Sequence, residues 1–274
     1  MPIDSSFLVA RDGMRLYYRY WIPEKPKKIL CIIHGHGEHS GRYRMMASKL
    51  MDDQIAVYCM DMRGHGKSQG KKGHAKNLDL LLSDIEELLK AARVQDLESP
   101  LFLMGHSMGG NLVANYMISN DSREVTGFIL SAPWLKLKLE PSAWKVKSGL
   151  LVGKIWSSYS TSTGLDPAKI SRITSEVEKY VEDPMVHDKI SVALYNAITA
   201  GSVLALQQAD KIKKPGLVYH GTDDGIIDWT ASEKFASGNK KIDWKTIEGA
   251  YHEPHNDVCR EEIYALVSDW IKKH

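Results

Sequence analysis

The chain has 274 residues, 43% of them hydrophobic, and a formal net charge of +2. That length suits one large α/β domain with an insertion, or two small domains, and the apolar share is enough to bury a sizeable core. The small charge, with lysines spread along the chain and not gathered in one block, argues against a nucleic-acid partner.

The opening Met1-Pro2-Ile3-Asp4-Ser5-Ser6 lacks the basic start and long apolar stretch of a signal peptide. A hairpin is expected next: a strand from Phe7 to Ala10, a turn at Asp12-Gly13 and a strand from Leu16 to Ile22. After Pro23 and Pro26, Ile29 to Ile33 is apolar at every position, as a strand buried on both faces must be. Tyr43 to Met51 reads as a helix and Ile55 to Met60 as a strand. Leu78, Leu81, Leu82, Ile85, Leu88, Leu89 and Ala92 recur at helical spacing on one face. Leu101 to Met104 is a strand, Asn111 to Ile118 a helix and Val125 to Leu130 a strand. Such alternation predicts a mostly parallel sheet with helices on both faces.

The alternation stops after Pro133. From Trp134 to about Leu206 there are helical stretches and no clean strand. It resumes with a strand at Gly216–His220, a helix at Trp229–Phe235, a strand at Ile242–Ile247 and a helix at Glu261–Ile271. Residues 134–205 are therefore expected as a cap inserted into a core made of 1–133 and 206–274. Within that cap, Trp144 to Trp156 is apolar nearly all round. On a helical wheel Trp144, Leu151 and Ile155 share one face, while Val146 and Leu150 fall on another. Such a helix is either packed over a pocket or set against lipid. No run approaches the roughly 18 apolar residues that span a bilayer. The three cysteines have no metal-like spacing, and Cys31 and Cys59 lie in apolar strands as expected buried thiols. The expectation is a soluble, reduced, cytoplasmic protein, and the lipid-facing alternative for the cap helix would add peripheral contact with a membrane surface.

Gly105-His106-Ser107-Met108-Gly109 fits G-x-S-x-G, the strand–turn–helix pattern of the α/β-hydrolase nucleophile. An apolar strand stands directly before it and a helix after it. Small residues two places either side of Ser107 relieve the crowding of so sharp a turn, and the helix N-terminus behind it favours negative charge.

A serine hydroxyl needs a base, normally a histidine oriented by a carboxylate, and on this fold the chain order is Ser, acid, His. The loop after the last strand, Glu248 to His255, offers His252 and His255; His252 is favoured as nearer the strand end. After the preceding strand, Asp224 is favoured as the acid. Asp223 suits a turn and Asp228 a helix N-cap. The oxyanion needs two backbone donors: the amide of Met108 and, from His34-Gly35-His36-Gly37, that of His36. A metal pair at His34 and His36 lacks a third ligand at suitable spacing. His65 and His74 are expected to hold their loop by hydrogen bonds.

With these residues in view, the sequence resembles the monoacylglycerol lipases and related lysophospholipases. The resemblance rests on His34 to Tyr43, on Asp61-Met62-Arg63-Gly64-His65-Gly66-Lys67-Ser68 and on Gly105 to Gly110. It rests also on Gly221-Thr222-Asp223-Asp224 and Gly249-Ala250-Tyr251-His252. It spans nearly the whole chain and is weakest in the cap. It implies the triad Ser107, Asp224 and His252. It also implies a glycerol-binding pole at Glu38, Arg42, His106, Tyr180 and His255, the Tyr180 match running through Tyr180-Val181-Glu182-Asp183-Pro184. One departure is His36, where relatives often carry a small or apolar residue. The expected activity is hydrolysis of a monoacylglycerol through an acyl-serine, with no metal or cofactor. The alternatives are a lysophospholipid, a short ester or an N-terminal peptide bond as substrate, or a non-catalytic binding protein of the same fold.

Overall fold

A computed structural model describes residues 4–96, 98–119, 122–139 and 156–274. The chain runs through β1 (Asp4–Val9), β2 (Arg15–Trp21), β3 (Lys28–Ile33), α1 (Arg44–Asp52), β4 (Ile55–Met60) and α2 (Leu78–Gln95). It continues through β5 (Leu101–His106), α3 (Met108–Ile118), β6 (Gly127–Ser131), β7 (Ser160–Ser162), α4 (Thr174–Glu182) and β8 (Lys189–Ser191). The last elements are α5 (Val192–Gln208), β9 (Gly216–Gly221), α6 (Trp229–Ser237), β10 (Ile242–Ile247) and α7 (Arg260–Lys273).

Eight strands form one sheet in the order β1-β2-β4-β3-β5-β6-β9-β10. β1 pairs antiparallel with β2 and β2 with β4, and every later pairing is parallel. This is the expected α/β architecture. The central strands β3, β4, β5, β6 and β9 alternate their side chains into two separate apolar cores. Cys31, Leu103, Leu130 and Val218 pack with α2 and α3 on one face. Leu30, Ile32, Phe102, Met104 and Ile129 pack with α1 and α7 on the other. Burial on both faces explains why these strands read as unbroken apolar runs. Cys31 and Cys59 are buried free thiols, as expected.

Several elements differ from the sequence reading. α3 starts at Met108, three residues before the expected Asn111, because the turn at the nucleophile leads straight into the helix. β6 spans Gly127–Ser131 and not Val125 to Leu130. Residues 134–205, expected as a cap without clean strands, contain the antiparallel pair β7 and β8, each three residues long. Strands so short leave no readable alternation. α5 packs on α3 through buried polar contacts: Asn111 Nδ2 donates to Ile198 O (3.1 Å) and Ser202 Oγ (2.9 Å). Of the expected helix Trp144 to Trp156, residues 144–155 lie outside the described residues. No helix among the described residues is long and apolar enough to cross a membrane.

Parallel pairing puts the carboxyl ends of β3, β5, β9 and β10 along one edge of the sheet. Ile33 is in register with Gly105, so the loop after β3 lies beside the turn after β5. Ile247 is in register with Gly221, which sets the loops after β9 and β10 side by side. Loops far apart in the sequence, after β3, β5, β9 and β10, thus converge at one edge, the usual place for a site in such a sheet.

Candidate active site

Ser107 is the single residue between β5 and α3, with φ 51° and ψ −116°. A non-glycine residue at positive φ costs about 1–3 kcal/mol and persists only where its surroundings enforce it. Here they do: Ser107 N donates to Ser131 O (3.0 Å), and Ser107 O accepts from Trp134 N (2.8 Å) and Asn111 N (3.1 Å). The flanking glycines are required by contact. A Cβ at Gly105 would lie 2.2 Å from Gly109 O, and one at Gly109 would lie 2.1 Å from Ile33 O. Met108, first in α3, has an amide with no acceptor inside the helix, so it is free to meet an anion.

His252 and Asp224 meet across the loops after β10 and β9. His252 Nδ1 donates to Asp224 Oδ2 at 2.7 Å, which leaves Nε2 as the basic nitrogen. Asp224 Oδ1 accepts from the amides of Ile226 (2.7 Å) and Ile227 (2.9 Å). His220 Nε2 donates to Asp224 Oδ2 at 2.8 Å. Burial alone would raise the Asp224 pKa, but the charge of His252 and the bonds from both histidines outweigh it and hold the carboxyl well below its usual range. Burial pulls His252 down, and the Asp224 carboxylate more than reverses this, leaving its pKa raised. Asp223 is exposed in the turn. Asp228 caps α6, its Oδ1 accepting from Thr230 N at 3.1 Å.

Ser107, His252 and His36 line one cavity of about 720 Å³. Much of its lining is apolar, with Leu137, Ile170, Val192, Tyr195 and Ile227. Beside His252 the lining turns polar, with Glu38, His106, Tyr180 and Glu253. Glu38 Oε1 accepts from Gly35 N (2.6 Å) and Tyr43 Oη (2.8 Å), and its Oε2 from Arg42 Nε (3.1 Å). Arg42 Nη2 also donates to Glu253 Oε2, which takes a further bond from Asn256 Nδ2 (2.9 Å). The guanidinium carbon lies 4.7 Å from the centre of the Tyr180 ring. One cation therefore serves two buried carboxylates. Burial, and then the charge of Glu253, push Glu38 up to about 7. Burial raises Glu253 too, but Arg42 overrides it and keeps that pKa lowered.

Of the five residues that the resemblance implied for a glycerol pole, Glu38, His106 and Tyr180 line the cavity. Arg42 stands behind them. His255 is fully buried, stacked on Tyr43 at 5.0 Å and edge-on to His106 at 4.8 Å. Burial drives His255 down to about 3, so it is a neutral packing group. His34 spends both ring nitrogens, donating from Nδ1 to Gly35 O (2.7 Å) and accepting at Nε2 from Met62 N (2.9 Å). Among the described residues no group of histidines, cysteines and carboxylates is arranged to hold a metal. His65 Nδ1 donates to Arg63 O (3.0 Å) and His74 Nδ1 bonds Ser191 Oγ (2.8 Å), so both hold the loop after β4.

Sequence reasoning missed Glu253 and His220. Glu253 stood in the loop searched for a base, and its signal was a carboxylate directly after His252. His220 precedes Asp224 by four residues, close enough to have been weighed as its second donor.

Fold and nucleophile together define an α/β-hydrolase-fold serine hydrolase. Residues 24–258 match Hydrolase_4, the family described as serine aminopeptidase, S33, and the chain belongs to that family. It is 30% identical over 266 residues to the monoacylglycerol lipase of Mycolicibacterium smegmatis, covering 96% of this chain and 94% of that protein. It is 34% identical to an uncharacterized abhydrolase domain-containing protein of Dictyostelium discoideum, spanning all of this chain but only 29% of that longer protein. The crystal structure of Paleococcus ferrophilus monoacylglycerol lipase superposes with a TM-score of 0.83 at 30% identity, covering 99% of this chain and 98% of the other.

Proposed function

We propose that the protein hydrolyses monoacylglycerols to fatty acid and glycerol. The observation that carries this reading is the polar pole of Glu38, Tyr180 and Glu253, anchored by Arg42, set beside His252 in a cavity that is otherwise largely apolar. A substrate with a long acyl chain and a small polyhydroxyl head matches both ends. His252 Nε2 takes the proton of Ser107 as its oxygen attacks the ester carbonyl, and Asp224 stabilises the imidazolium. The amides of His36 and Met108 receive the oxyanion, each such donor contributing roughly 3 kcal/mol to the transition state. Glycerol leaves with the proton from His252, and water then cleaves the acyl-serine by the same route.

Two measurements test this. A fluorophosphonate probe should label the wild-type protein and not Ser107→Ala; equal labelling would sink the nucleophile. Monoolein, lysophosphatidylcholine and p-nitrophenyl acetate should be cleaved with monoolein preferred. Tyr180→Phe should lose monoolein turnover selectively, and equal loss on all three esters would refute a glycerol pole. A second reading, a lysophospholipase, is favoured by Lys169, the one lysine or arginine among the described residues lining the cavity. It predicts that lysophosphatidylcholine is the better substrate.

Contact with a membrane surface is part of the proposal. Leu139, Trp156 and Tyr159 are exposed apolar residues. Leu139 and Tyr159 line the catalytic cavity, and Tyr159 and Trp156 share a small adjacent cleft with Lys71, Lys72 and Lys189. Aromatic rings with neighbouring lysines suit a lipid headgroup layer. Co-flotation with anionic vesicles, weakened in Trp156→Ala, is the expected result; no flotation of the wild-type protein would exclude it.

A further inference from the structure

The three-loop seam under the cap is the part of the molecule that the mechanism leaves unused. His187, from the segment just before β8, reaches two core loops at once. Its backbone N donates to Gly37 O at 2.9 Å. Its ring Nε2 donates to Gly64 O at 3.1 Å. The approach is backbone on backbone: Gly37 has φ +79°, and a Cβ there would lie 2.3 Å from His187 O. Gly37 follows His36, the residue whose amide is assigned to the oxyanion.

The rings complete the joint. His187 lies 4.7 Å from His65, and both stand edge-on to His36, at 5.6 and 5.4 Å between ring centres. The His36 side chain, the departure noted in the sequence, is therefore turned into this stack as a packing group. Burial holds His36 and His187 below the usual imidazole range, so the rings meet as neutral edges and faces and do not repel.

We infer that His187 is a positioning residue for the oxyanion hole, through which the cap fixes the His36–Gly37 turn. The inference rests on the assignment of the His36 amide proposed above. The two bonds differ in what they do. The main-chain bond to Gly37 O holds the turn itself, and the ring bond to Gly64 O fixes the place from which that bond is made. Gly64 belongs to the loop braced by Arg63, which donates to both oxygens of the buried Asp84 at 2.6 and 2.7 Å. The turn is thus referred, through one cap residue, to a rigid point of the core. A cap that shifts by an ångström carries the oxyanion donor with it, and a displacement of that size is enough to cost a large part of catalysis.

The test compares His187→Ala, His187→Gln and His74→Ala. Glutamine places an amide nitrogen near the position of Nε2 and can still donate to Gly64 O. His74 ties the same seam to Ser191 without touching the oxyanion turn. Monoolein turnover is measured beside two inhibitors. A long-chain trifluoromethyl ketone adds to Ser107 and puts an alkoxide in the hole; a 1-O-alkylglycerol ether mimics only the bound substrate. In His187→Ala, kcat and ketone affinity should both fall about 30-fold, less than the 100- to 1,000-fold typical of deleting a donor outright. KM and ether affinity should change by less than about threefold, because an interaction felt only by the transition state leaves ground-state binding alone. His187→Gln should recover most of the loss, and His74→Ala should leave kcat within about threefold.

Unchanged kcat and ketone affinity in His187→Ala overturn the inference. So does a loss that falls on KM and the ether alone, which would mean that His187 only holds the cap. A wild-type protein that the ketone does not inhibit refutes instead the underlying assignment of nucleophile and hole. Should His187→Ala fail to fold, His187→Asn, whose shorter side chain cannot reach Gly64 O, takes its place with the same expected loss.

Discussion

Asp224 and Glu38 are both buried carboxylates at the edge of one cavity, and they bind protons oppositely. Asp224 is held well below its usual range; Glu38 is pushed up to about 7. Burial raises both. The bonds from both histidines help to lower Asp224, but the number of donors does not separate the two acids, since Asp224 accepts from two histidines and two amides, and Glu38 from an amide, a phenol and a guanidinium. The difference lies in the neighbour. Asp224 faces His252, which becomes cationic during the reaction, whereas Glu38 shares Arg42 with a second carboxylate, Glu253. How many anions divide one cation decides whether a buried acid keeps its charge.

The contrast can be broken from either side. Asp224→Asn should lower kcat about 10,000-fold on every ester, because His252 loses both its orientation and its counter-charge. A smaller loss would mean that His220 or a water substitutes. Arg42→Met leaves two carboxylates without their cation and should destabilise the fold by about 3–5 kcal/mol, read by urea denaturation. Glu38→Gln removes one of the two anions and should be milder: monoolein kcat/KM falls about tenfold, while p-nitrophenyl acetate changes by less than threefold.

The smallest effect is in the pH profiles. The general base works only when neutral, so a raised His252 pKa moves the acid limb of kcat/KM above the usual imidazole value, about 6.5, for all substrates. Glu38 adds a second inflection near 7 for glycerol esters alone. Its charged form, which Arg42 holds in place, is lost as pH falls through that value. The ratio of monoolein to p-nitrophenyl acetate activity cancels the shared base and should fall severalfold between pH 8 and pH 6. In Glu253→Gln the inflection should move to lower pH, since the competing anion is gone. A flat ratio in the wild-type protein would remove the pole from the picture.

The sequence carried the sheet and the sharp turn at Ser107 because both leave local marks. Strands covered on two faces are apolar at every position, and the turn at Ser107 demands glycines at fixed offsets. The start of α3 was misplaced for a related reason. Gly109 and Gly110 are poor helix formers, yet Gly109 is needed because Ile33 O passes so close. The pole and the seam were less legible because their partners are remote. Arg42 meets Glu253 across 211 positions, and His187 meets Gly64 across 123. A three-residue strand such as β7 gives no pattern at all. Function was read from the resemblance more than from spacing, and only the folded geometry separates Glu38, which faces the cavity, from His255, which does not.

The backbone at Ser107 has a consequence for durability. Its positive φ is energy stored in the folded state and released on unfolding. Glycine occupies that region at no steric penalty, so Ser107→Gly should be inert and yet melt a few degrees higher than the active protein, in a scan of the two side by side. Selection for toughness alone would therefore act against the serine at this position. Ser107 is one of three non-glycine residues at positive φ among the described residues, with Gln54 and Ala132, and its strain is a part of what limits the protein's thermal ceiling.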